Sequence, residues 1–253
     1  ADAARMRPVT RRELPGSFDL EGIDPLLARL YAARGVTAAA QLDYGLANLA
    51  PVSSLDNVEA GVDLLLANRD EKIIIVGDFD VDGATSTALL LRCLHEFGFA
   101  DVGYLVPNRF EFGYGLSPEI VRVAAEMSPA LIVTVDNGIS SIEGVREANS
   151  FGINVLITDH HLPAAELPEA EVIVNPNLAG STFTSRNLAG VGVAFYLMAA
   201  LGRALEQQGR AGASKVAARY LDLVALGTVA DVVALDHHHR ILANHRPVFR
   251  HGL

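Results

Sequence analysis

The chain has 253 residues, half of them hydrophobic, and 20 Lys+Arg against 30 Asp+Glu give it a formal charge of −10. So apolar and modestly charged a composition excludes a disordered acidic tail and supports one large domain or two small ones. The acidic balance with only two lysines, Lys72 and Lys215, argues against a broad basic surface, and a single cysteine, Cys93, excludes an internal disulfide and a cysteine-based zinc site. No apolar run reaches the roughly 18 residues of a membrane span. The opening residues lack a signal peptide's charged-then-apolar plan, so a cytoplasmic protein with no membrane partner is expected.

Residues 1–70 read as helical pieces broken by Pro8, Pro15, Pro25 and Pro51, with helices expected over 25–34 and 58–68. Short β-branched runs follow at 73–76, 102–106, 131–135, 155–158 and 172–174, each nearly all apolar, as strands covered on both faces are. Helix-like stretches at 85–97, 118–127 and 142–151 alternate with them. Beyond Asn175-Pro176-Asn177 the strand signal stops, and helices are expected over 191–208 and 214–226. The expected fold is α/β: a doubly wound, mainly parallel five-stranded sheet with helices on both faces, preceded by an N-terminal helical segment. The domain reading is a helical segment, 1–70, packed on an α/β domain, 71–253. The chain ends without a stop signal, as a piece of something longer would.

In such a sheet, ligands collect outside the carboxyl ends of the strands. Those positions are acidic here. Asp78, Asp80 and Asp82 follow the first strand, Asp136-Asn137-Gly138 the third and Asp159-His160-His161 the fourth, and Asp231 follows the last helix. Asp and Gly after a strand are ordinary turn residues, but their coincidence at four element ends argues for a site. Carboxylates crowded at one rim repel, and divalent cations relieve that. Oxygen ligands with one or two imidazoles suit manganese or magnesium, and two ions sharing a carboxylate suit hydrolysis of a phosphoester or phosphoanhydride. Arg109 and Tyr114 are candidates for contacting strand phosphate and stacking a base. The run Asp236-His237-His238-His239 reads as a solvated loop.

At these residues the sequence resembles the DHH phosphoesterase superfamily, and within it the single-strand-specific DNA exonucleases. The resemblance runs through residues 76–89, 104–110, 113–118, 134–140, 158–163, 188–196 and 225–233, and so spans most of 70–235. It implies that Asp136 bridges two ions, that Asp80 holds one, and that Asp82, His160 and Asp231 hold the other. It further implies that His161 contacts the scissile phosphate and that Asp159 orients the histidines. Many members carry histidine where this chain has Val76, so the Asp80 ion is short of a protein ligand and is expected to bind weakly, retain water or recruit Asp78 as an auxiliary. The family's second domain (DHHA1-like) and its oligonucleotide-binding domain are not in this sequence.

What the resemblance implies is a 5′-to-3′ exonuclease releasing mononucleotides from single-stranded DNA in repair and recombination, with single-strand-binding protein and a helicase as partners. The alternatives are a phosphodiesterase of short oligonucleotides or cyclic dinucleotides, a pyrophosphatase, and a catalytically weak scaffold. A receiver domain would also gather Asp78, Asp80, Asp136 and Thr158, but it needs a lysine after the fifth strand, where neither Lys72 nor Lys215 lies.

Overall fold

The computed structural model describes residues 10, 13–14, 20–107 and 115–244. Arg109 and Tyr114 lie outside the described residues. The chain divides into two compact units, residues 1–48 and 49–253.

In the first unit, helix α1 (Pro25–Ala32) starts at Asp24, whose carboxylate accepts the Leu26 and Leu27 N–H groups. It buries Ala28 and Ala32, and Ala28 packs with Leu20 and Val36. Only 3-10 turns follow, at Ala39–Leu42 and Leu46–Asn48. The Asp43 carboxylate takes the Gly45 N–H and so offers the backbone an alternative to helix.

The second unit carries helix α2 (Val58–Ala67) and then strand β1 (Lys72–Gly77), helix α3 (Val81–Glu96) and strand β2 (Asp101–Leu105). After these come α4 (Pro118–Ala125), β3 (Leu131–Val135), α5 (Ile142–Ser150), β4 (Asn154–Thr158), β5 (Val172–Val174), α6 (Gly190–Gln207), α7 (Leu221–Ala230) and α8 (His237–Asn244). All four strand pairings are parallel, and the sheet order is β2-β1-β3-β4-β5.

Alternate strand residues feed two cores, as the period of two requires. Ile73, Ile75, Leu131, Val133 and Leu156 pack with α2, α3 and α6 on one face. Ile74, Val76, Ile132, Val155 and Ile157 pack with Ile120 and Val121 of α4 and Val145 of α5 on the other. Each buried Leu or Ile contributes about 1.5–3 kcal/mol, so the doubly covered strands anchor the fold.

Three details differ from the sequence expectation. Strand β2 is an edge strand, with Tyr104 and, just past its end, Val106 about half exposed, because nothing pairs beyond it among the described residues. The helix expected over 214–226 is two 3-10 turns followed by α7, because the Glu206 carboxylate draws off the Gly212 and Ser214 N–H groups. Asp231 therefore caps α7 directly. The run 236–239 is no solvated loop: Asp236 accepts the His239 N–H at the start of α8, and His238 and His239 are both buried.

The order 2-1-3-4-5 fixes where a ligand can sit. From β1 the chain winds first to β2 and then back across to β3, so the carboxyl ends of β1 and β3 diverge into a crevice. Asn137 stitches its floor, its amide donating to Val76 O at 3.0 Å and Val135 O at 2.9 Å. No described helix is long and apolar enough to cross a membrane.

Candidate metal centre

The loop after β1 supplies three carboxylates in three settings. Asp78 is buried and accepts the Phe79 N–H at 2.7 Å. Asp80 is exposed and caps α3 by accepting the Gly83 N–H at 2.9 Å. Gly83 is required there, since a Cβ would stand 2.4 Å from Asp78 O. Asp82, in the first turn of α3, is 1% exposed. It accepts the Gly190 and Val191 N–H groups at 2.7 and 2.9 Å, and so sits on the positive end of the eighteen-residue helix α6.

Asp136 follows β3 with φ +61°, a left-handed conformation that Asp tolerates better than most side chains but that still costs energy. Gly190 lies hard against it, for a Cβ there would come within 2.6 Å of Asp136 Oδ1. After β4, the Asp159 carboxylate accepts the N–H groups of His160, His161 and Ile139 and the Nδ1 of His161, at 2.7, 3.0, 2.9 and 2.7 Å.

These ends converge. His160 Nε2 lies 3.0 Å from Asp136 Oδ1, 3.7 Å from Asp231 Oδ2 and 3.9 Å from Asp82 Oδ2. Three residue sets bring one donor atom each within 4.8 Å of one another: Asp82, His160 and Asp231; Asp78, Asp80 and Asp136; and Asp136, His160 and His161. Asp136 and His160 are shared between sets. Val76 is fully buried in the core of β1, and Asp78 is the further carboxylate beside Asp80 and Asp136.

The electrostatics are those of a site built around positive charge. Burial, then Asp80, pushes the Asp136 carboxyl up to about 9. Burial and then Asp136 raise Asp82 to about 7, even against the helix N-terminus beneath it. His161 is raised to about 9, chiefly by its hydrogen bond to Asp159. Burial works against the Asp159 charge, but the His161 ring and the backbone N–H groups outweigh it and hold the carboxyl below the ordinary range. Asp136 Oδ1, His160 Nε2 and Asp231 Oδ2 are buried without a hydrogen-bond partner. Unpartnered buried polar atoms are costly, and three aimed at one point fit a hard divalent cation.

A cleft of about 870 Å³ opens at Asp159 and His161. It runs over Gly138, Ile139, Ser140 and Ser141 to Ser117 and Pro118. On the other side a groove of about 370 Å³ is lined by Phe79, Asp80, Val81, Leu223 and Leu226.

Sequence reasoning reached the acids and histidines and missed what holds them: the amides of Asn137, Asn175 and Asn177, and the N–H groups of Gly190 and Val191. The signals were present as Asn175-Pro176-Asn177 and as a glycine opening α6.

Residues 72–228 match the model of the DHH family, N-terminal domain. The chain is 54% identical over 92% of its length to the single-stranded-DNA-specific exonuclease RecJ of Escherichia coli, and 50% identical over 93% to that of Haemophilus influenzae, covering 41% of each. It thus spans about two fifths of these relatives. Among solved structures, RecJ of Thermus thermophilus in complex with Mn2+ superposes with a TM-score of 0.71 at 33% identity, over 87% of this chain and 30% of that one. An exonuclease RecJ bound to manganese gives 0.67 at 35% identity, over 77% and 48%. With the family's model matched across the whole sheet and across every residue of the site except Asp231, the chain belongs to the DHH family.

Proposed function

We propose that this chain is the catalytic part of a metal-dependent exonuclease that hydrolyses single-stranded DNA from the 5′ end to mononucleotides. The observation that carries this reading is the convergence of Asp136 Oδ1, His160 Nε2 and Asp231 Oδ2, buried and unpartnered, in a chain so similar to RecJ. Asp82, His160 and Asp231 would hold one divalent ion and Asp80 and Asp136, with Asp78, the other. Manganese or magnesium there would activate water and neutralise charge developing on the phosphate.

The chain's own groups do the rest. Asp159 fixes the His161 ring through Nδ1 and keeps it protonated, so that Nε2 can donate to a non-bridging phosphate oxygen as its charge grows. His161 is half exposed and borders the large cleft, as a substrate-facing group must. The cleft has room for a nucleoside beside the phosphate, which favours a polymer over pyrophosphate. Arg109 and Tyr114 are assigned to strand phosphate and base on the sequence reading. Residues 71–253 carry the chemistry, and a cytoplasmic setting with single-strand-binding protein and a helicase supplying the strand completes the proposal.

The test compares manganese-dependent cleavage of a long 5′-phosphorylated single strand, its duplex, a dinucleotide and pyrophosphate. The single strand should be cut in preference, and Asp136→Ala should abolish cutting. Preference for the dinucleotide or pyrophosphate would replace this reading with one of the small-substrate alternatives.

A further inference from the structure

Beyond β4 the two histidines stand on chain with no regular partner strand, where nothing in the sheet fixes their peptide planes. The Asp159 carboxylate accepts the N–H groups of both His160 and His161. From the opposite side, Asn177 Nδ2 donates to His160 O at 2.6 Å and Asn175 Nδ2 to His161 O at 3.0 Å. The peptide joining the two histidines is therefore gripped at both edges, its N–H by Asp159 and its C=O by Asn177. That grip sets ψ of His160 and φ of His161, and with them the relative directions in which the two side chains leave the backbone.

The two asparagines are themselves fixed. Asn175 is fully buried and its Oδ1 accepts the Asn177 N–H at 2.8 Å, with Pro176 locking the intervening φ. Asn175 follows Val174, whose carbonyl accepts the Asp159 N–H at 3.2 Å. The parallel register of β4 and β5 thus delivers the clamp opposite the histidines it holds.

We infer that Asn175 and Asn177 are positioning residues of the metal centre, acting through the His160 and His161 carbonyls to hold the two imidazoles at the spacing that metal and phosphate need. The inference rests on the proposed function for its catalytic half and on geometry alone for its metal-binding half. A ligand held 1 Å off its place loses affinity, and groups that orient ligands from behind typically account for about 10–100-fold.

The experiment uses the whole chain with Asn175→Ala and Asn177→Ala. As control it uses Asn68→Ala, whose burial lies between those of Asn175 and Asn177 and which removes another amide-to-carbonyl bond, Asn68 Nδ2 to Leu64 O at 2.9 Å, at the end of α2. Thermal melting, manganese affinity by calorimetry, and kcat and KM on single-stranded DNA are measured for each. All three variants should melt lower. Asn175→Ala and Asn177→Ala alone should weaken manganese binding about 10-fold or more and lower kcat with little change in KM. Asn177 is only partly buried, so its variant keeps the test available if Asn175→Ala fails to fold. Manganese affinity and kcat equal to wild type in a folded Asn177→Ala would overturn the inference. A wild-type chain that binds manganese but cuts no DNA would sink the proposed function, while the affinities would still decide the clamp.

Discussion

His160 Nε2 and Asp136 Oδ1 approach to 3.0 Å without forming a hydrogen bond, each left unpartnered by the other's geometry. The Asp136 backbone is left-handed and its carboxyl raised to about 9 by burial and then Asp80. These are the marks of a residue kept for function against the interest of the metal-free fold.

Asp136→Asn should therefore raise the melting temperature of the metal-free chain by a few degrees while removing manganese binding. Asn accepts the same φ and, unlike a carboxylate, need not take up a proton to be buried beside Asp80. Melting in the presence of a chelator checks the first half and calorimetry the second; a lower melting temperature would refute the electrostatic account.

Gly190→Ala should be far more damaging than an alanine at a helix start usually is. The added methyl would meet Asp136 Oδ1 at 2.6 Å, and overpacking of this kind costs about 1–3 kcal/mol. Cleavage should fall at least tenfold, about 1.4 kcal/mol in barrier terms, with manganese affinity falling alongside it. Normal affinity with lost activity would mean that Asp136 was not the group displaced.

Asp236 governs a separate acid limb. Burial opposes its charge, but the His239 ring, the His239 N–H and the Ser185 hydroxyl outweigh that and hold its carboxyl below the ordinary range. Its contribution to stability is thus present above the unfolded carboxylate value of about 3.9 and is lost as pH falls below it. Asp236→Ala should cost about 1 kcal/mol at neutral pH through the lost helix cap and flatten the dependence of stability on pH in acid. Urea melts of both proteins from pH 7 down to the acid limit would show it, and parallel curves would count against the pairing.

Val232 is a β-branched, exposed residue at φ +61° directly after Asp231. Val232→Asn, which suits that conformation, should stabilise the chain by about 1 kcal/mol. A drop in manganese affinity in the same variant would show that the strain helps to aim Asp231.

The sheet was legible because the β-branched runs are short and bounded by turn residues (Gly77, Pro107, Asp136, Asp159 and Asn175), and the acids after β1, β3 and β4 are neighbours because those strands pair in parallel. Asp231 was legible only as an acid after a helix; that its helix starts late, after Glu206 has drawn off two N–H groups, is a tertiary effect. The caps on Asp82 come from residues more than a hundred positions away, and no local pattern announces them. The buried His238 and His239 misled because charge-rich runs are usually solvated. Here Tyr196 hydrogen-bonds His238 and Asp236 pairs with His239, and these bonds offset burial.

Asp231 enters the chain after every other carboxylate of the centre, and it does so at the end of α7. In a chain made from its N-terminus, Asp78, Asp80, Asp136 and His160 all precede the core residues Leu221 and Val224 of the helix that carries Asp231. The set Asp82, His160 and Asp231 is therefore the last of the three to be complete in chain order, and it waits on the formation of α7.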